Sequence, residues 1–168
     1  GPPRPSAAMT SPPVAQRTPG KPGDFGFLSG DWAIRHQRLG DDGRWERFDG
    51  EASCHGLLAG ACSVEELRIP ARKFSGMGLR LLDLQQRVWM DHWVSGSHGV
   101  LTLPGMSGSF EQGAGIFEAD DEEDGKPIQV RGVWDQIGER ACRWQQGVSR
   151  DGGAHWDVTW SMVWLRRA

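Results

Sequence analysis

Asp91, His36, Arg131 and Gln146 are the polar residues whose placement points to an internal site. The run Trp89-x-Asp91-x-Trp93 puts a carboxylate on the same strand face as two indoles, because alternate side chains on a strand share a face. If that face is internal, Asp91 needs a partner such as Arg131 or Arg80, since an isolated buried charge is costly. His36 keeps phase with Trp32 and Ile34, and Gln146 with Cys142, Trp144 and Val148. Glu65 and Glu66 are adjacent, so one faces inward and the other out. Polar groups of this kind in an apolar wall either lock the structure or fix the polar end of a ligand. They do not name a reaction. The chain has no nucleophile elbow, no HxH or HExxH pair and no glycine-rich phosphate cradle.

Other reactive side chains have plainer readings. Cys54, Cys62 and Cys142 are odd in number and form no CxxC pair, which fits buried small hydrophobes better than a disulfide framework or zinc site. The acidic run Asp120 to Asp124 lacks the alternating ligands of a calcium loop and reads as a solvated hairpin tip. No metal and no cofactor is expected.

The indoles carry more information. The chain has 9 Trp and no Tyr. Trp156, Val158, Trp160, Met162 and Trp164 alternate, which predicts one strand face covered in indole. A Trp buries roughly 150–250 Å², so such a face either fills a core or lines a pocket. Trp93, Trp134, Trp144 and Trp160 are the candidates for stacking on a ligand.

These residues must be positioned by short strands. Eleven segments read as strands: Asp31–Leu39, Trp45–Cys54, Ala61–Arg68, Met77–Leu82, Arg87–Val94, Val100–Leu103, Ser107–Gln112, Gly115–Ala119, Pro127–Trp134, Arg140–Val148 and Trp156–Leu165. Turn signals such as Gly40-Asp41-Asp42-Gly43 separate them at about eight to twelve residues. Only Phe25–Leu28 and the stretch around Ile69–Phe74 suit a helical turn. The fold class is all-β, and closure into an up-and-down barrel of about eight to ten strands removes the exposed edges. Residues 1–24 hold 7 of the 10 prolines and little that is apolar, which predicts a flexible tail ahead of a barrel domain at 25–168.

Composition excludes several classes. A net charge of −3 argues against a nucleic-acid partner, which calls for a basic surface. No apolar run approaches the ~20 residues that span a bilayer, and no charged-then-apolar leader is visible. With unpaired cysteines, these points predict a soluble, cytoplasmic protein, and they leave its oligomeric state open.

The entry Leu28-Ser29-Gly30-Asp31-Trp32, with its Gly-x-Trp, resembles the calycin superfamily of lipocalins and fatty-acid-binding proteins. In lipocalins that Trp closes one barrel end beneath an Arg near the end of the last strand, which implies such a role for Arg166 or Arg167. Further segments recur in this order in a lipocalin-like bacterial family: Gly78 to Asp83, Val88-Trp89 to His92-Trp93, Gly125 to Trp134 and Arg143 to Trp156. That resemblance covers residues 25–166 and implies an internal cavity but no reaction. The nitrobindin relatives of the fold bind haem, but their extended glycine motif is replaced here by Ala33-Ile34-Arg35. Ser149-x-Asp151-x-Gly153-x-x-Trp156 resembles a single Asp-box, a structural hairpin device.

The expected partner is thus a hydrophobic or aromatic small molecule, stacked on Trp93, Trp134, Trp144 and Trp160 and fixed by His36, Asp91, Arg131 and Gln146. The alternative from another class is a cofactor-independent enzyme, a cyclase or isomerase, using the same cavity to hold a reactive conformer.

Overall fold

Ten antiparallel strands form one closed barrel in which every strand pairs with its sequence neighbours and the last returns to the first. In this computed structural model, residues 18–168 are described. The strands are β1 (Gly30–Leu39), β2 (Trp45–Leu57), β3 (Cys62–Ile69), β4 (Phe74–Asp83), β5 (Val88–Ser95), β6 (Met106–Glu111), β7 (Ala114–Glu123), β8 (Lys126–Asp135), β9 (Ala141–Ser149) and β10 (Asp157–Arg166). The all-β up-and-down barrel read from the sequence is the observed architecture. The short 3-10 turns at Gly26–Leu28 and Pro70–Arg72 fall where helical turns were expected, and a third lies at Leu58–Gly60.

Closure is sealed between β1 and β10, with Ile34 opposite Trp164 and His36 opposite Met162. Strand alternation then fixes which side chains look inward. On β5 these are Trp89, Asp91 and Trp93, since Trp89 pairs with Leu82 on one side and Gly108 on the other. On β8 and β9, Trp134 pairs with Trp144 and Gly132 with Gln146, so all four share the inner face.

One end of the barrel is plugged by aromatic packing. The turn at Gly26–Leu28 carries Phe25 into the interior, edge-on to Trp89 and Phe110 with ring centroids 4.8 and 4.9 Å away. Trp32, fully buried, meets Trp164 edge-to-face and donates its indole N–H to the Leu28 carbonyl at 2.7 Å. Arg166 lies over the Trp32 ring at 4.2 Å and donates to the carbonyls of Ser29, Phe27 and Glu139. Of the two arginines considered for this stack, Arg166 occupies it; Arg167 pairs with Glu51.

The chain touches the barrel before Phe25. Gly20 and Arg87 exchange two hydrogen bonds, and Asp24 accepts the Trp89 indole N–H at 3.1 Å. Residues 1–17, the larger part of the proline-rich stretch, lie outside the described residues.

Two strand expectations are corrected. Val100–Leu103 is a loop, joined to β5 only by the Val94–Leu101 bridge and the Thr102 N–H to Trp93 carbonyl bond. Pro104, which has no N–H to donate, ends it. The unbroken alternation from Trp156 to Trp164 is interrupted by a bulge between Val158 and Trp160. An extra residue reverses the facing of every later residue on the strand. Trp156 and Val158 therefore pack with Val133 in a separate cluster, with Trp45 against it, while Trp160, Met162 and Trp164 face the interior.

The Ser149–Trp156 hairpin behaves as its motif implies. Asp151 accepts the backbone N–H of His155 and the Ser149 hydroxyl, which hold its carboxyl down at about 2. Gly153 sits at φ +94°, and its carbonyl receives the Trp156 indole N–H.

Candidate functional site

Above the aromatic plug the barrel holds an open-mouthed cavity of about 400 Å³. Its indole walls are Trp93 on β5 and, across the barrel, Trp134, Trp144 and Trp160 on three successive strands, with Trp164 also on the last. Those three indoles touch in sequence, Trp134 to Trp144 at 6.5 Å and Trp144 to Trp160 at 6.1 Å between centroids. Over the mouth, the β5–β6 loop contributes Thr102 to Gly105 and exposes Val100 and Leu103.

Inward-facing glycines make room for these rings. A Cβ on Gly76 would fall inside the Trp93 indole, and one on Gly132 would lie 3.0 Å from the Trp144 Nε1. Gly76→Ala is therefore expected to push the Trp93 indole aside and cost about 1–3 kcal/mol of stability, as overpacking does. Near-UV circular dichroism and urea unfolding would check both effects. An unchanged aromatic spectrum would contradict the packing described.

The charged centre lies on β3, β4 and β5. Arg80, 4% exposed, ion-pairs with Glu65 through Nη2, reaches Ser63 Oγ at 3.5 Å, and holds its Nε 3.8 Å from Asp91 Oδ1. Its guanidinium also lies 5.1 Å from the Phe25 ring and 5.4 Å from that of Trp134. Asp91 keeps 20% of its side chain open, and that surface faces the cavity. Burial raises its carboxyl to about 6, Arg80 opposing the rise and Glu65 adding to it.

His36 sits beside the cavity rather than in its wall. It stacks on Phe48 at 4.6 Å, accepts the Trp160 indole N–H on Nδ1 at 3.0 Å, and so orients Trp160. Burial, and next the Arg72 charge, lower its pKa to about 4, so it is neutral. Its Nε2 has no hydrogen-bond partner among the described residues and faces Gly50.

Of the eight residues singled out in the sequence, six line one cavity: Asp91, Trp93, Trp134, Trp144, Gln146 and Trp160. Gln146 donates to Thr159 Oγ1 at the bulge. Arg131 is a correction. It pairs with Glu118, stacks on Trp156 at 4.0 Å, and faces away from the cavity. Alternation forbids Arg131 and Trp134 from sharing a face, being three apart. The partner of Asp91 is Arg80. Arg80 and Glu65 complete the site, and their parity with Leu82 and Leu67 was the available signal.

Among the described residues, no three His, Cys, Asp or Glu side chains are grouped to hold a metal ion. The three cysteines are free and buried, and burial pushes the Cys54 and Cys142 thiols up to about 12. No helix among the described residues is long and apolar enough to cross a membrane.

The fold and cavity define a closed ten-strand antiparallel barrel with an aromatic-walled interior. The chain matches no family profile and no curated protein in sequence. Among solved structures it is similar to Rv2717c from M. tuberculosis, with a TM-score of 0.52 and 13% identity over 86% of this chain and 95% of that one. At that identity the likeness concerns the fold alone.

Proposed function

We propose that this is a calycin-like barrel that binds a hydrophobic or aromatic small molecule in its cavity. The observation that carries the reading is the space of about 400 Å³ lined by five indoles, with the Glu65–Arg80–Asp91 cluster in its wall. Ligand sites are concave, mostly apolar and furnished with a few convergent polar groups. A barrel interior filled only for stability has no reason to leave such a space beside ionised groups, which are costly to keep from water. The Arg166–Trp32 stack at the closed end supports the calycin-like assignment.

The test is native mass spectrometry of the purified protein for a co-purifying small molecule, followed by calorimetric titration with polycyclic aromatics. Saturable binding is expected, weakened about tenfold by Trp160→Ala, the loss of one stacking partner. It should be unaffected by Glu122→Ala, which alters an exposed residue outside the cavity lining. Absence of binding to every aromatic tested would sink the proposal.

A cofactor-independent cyclase or isomerase is the second reading, and Asp91 favours it. A carboxyl held at about 6 on the wall of an apolar cavity can exchange a proton near neutral pH. Turnover of a recovered ligand, lost in Asp91→Asn, would support it. A ligand returned unchanged after prolonged incubation would count against it.

A further inference from the structure

We propose that the cavity's occupant is an organic cation, an aromatic or alicyclic amine whose ammonium group is held between Asp91 and the indole walls. The inference rests on the ligand-binding reading above and names the ligand's chemical class. It begins with how the interior charge is divided. Arg80 is committed to Glu65 through Nη2 and to Ser63 through Nη1, and it reaches Asp91 only at 3.8 Å. Among the described residues no side chain donates a hydrogen bond to the Asp91 carboxylate, and its free surface is turned to the cavity. Glu65, Asp91 and Arg80 thus leave one negative charge over, and it resides on the group that a ligand can touch. Asp120 and Asp121 add two more carboxylates to the lining near the mouth. A second positive group is what this set lacks, and an ammonium at Asp91 brings the inner three groups to neutrality.

The walls suit the same charge. Indole faces attract cations through the ring quadrupole, Trp most strongly of the aromatic side chains. One such contact is already made on a wall residue, where Arg38 lies 4.8 Å over the Trp160 ring. Trp93 stands two residues from Asp91 on the same face of β5, so a cation at the carboxylate lies within reach of an indole. An anionic head group would meet the opposite situation: Asp91 directly before it and Glu65 behind. The rival feature is a set of buried donors with no hydrogen-bond acceptor among the described residues, the Arg80 Nε and the indole N–H groups of Trp134 and Trp164. These suit a ligand oxygen. They would decide the matter for a carboxylate only if Asp91 were neutral.

Calorimetric titration at pH 7.5 with three probes of one shape separates these cases: naphthalen-2-ylmethylamine, naphthalen-2-ylmethanol and 2-naphthoate. The amine is expected to bind at least about tenfold more tightly than the alcohol, with the acid weakest. Asp91→Asn should shrink the amine's advantage over the alcohol to about twofold or less, because the charge is gone while the ring contacts remain. That variant removes a buried charge and is expected to fold. Equal binding of amine and alcohol, or tightest binding of the acid, overturns the cation assignment and leaves the cavity reading standing. Binding of none of the three overturns both.

Discussion

Arg80→Leu is expected to lower the unfolding free energy by about 3–5 kcal/mol, the usual cost of removing one partner from a buried ion pair. Leucine fills much of the same space, so little of this loss is packing. The loss comes from leaving Glu65 and Asp91 as two like charges in the barrel interior with no cation between them. The companion variant makes the argument specific. Replacing Glu65, Arg80 and Asp91 together by leucine should be about neutral or stabilising, because the charges leave as a set. Acidification should rescue the single variant as well. Without Arg80, the one neighbour within ion-pair reach that lowers Asp91 is gone, and protonation then relieves the repulsion. Urea unfolding at pH 7.5 and pH 5 reads all three outcomes. A loss under about 1 kcal/mol at pH 7.5 would mean that water already solvates the cluster.

The barrel itself was legible because its signals are local. Glycine-rich turns and short alternating runs located all ten strands. Trp89-x-Asp91-x-Trp93 and Trp32-x-Ile34-x-His36 showed by parity which side chains share a face, while the closed register decided that this face is the inner one. What escaped was set between strands. The bulge at Thr159 has no residue signature, yet it separates Trp156 from Trp160 and decides which indoles see the cavity. Arg131 and Arg80 were equal candidates for Asp91 by chemistry. Alternation sets Arg131 on the face opposite Trp134, and the register across β4 and β5 places Arg80 opposite Asp91. The pairing of Gly76 with the Trp93 ring likewise belongs to neighbouring strands and cannot be read along either one.

His36 and Asp91 should tilt the stability of the barrel in opposite directions over the same pH range. His36 has its pKa lowered from 6.5 to about 4 by burial, then by Arg72, against the opposing charge of Asp49. Its contribution is complete above pH 6.5 and is lost as pH falls toward 4. Asp91 is raised from 3.8 to about 6 by burial, with Arg80 opposing, Glu65 adding and His92 opposing. Its contribution is complete below about pH 3.8 and is lost as pH rises through 6. Each is worth about 3 kcal/mol across its window, from about 1.4 kcal/mol per pKa unit. Between pH 4 and 6 the two slopes nearly cancel in the natural protein. Single substitutions should uncover them. His36→Gln leaves Asp91 unopposed, so stability should increase on acidification from pH 6 to 4. Asp91→Asn leaves His36 unopposed, so stability should fall over that interval and exceed that of the natural protein above pH 6. The double variant should run parallel to the natural protein over that interval, since both opposing slopes are gone. Urea midpoints at pH 4, 5, 6 and 7.5 measure all four profiles, and parallel profiles for the two single variants would show that neither group is held in the ionisation state described.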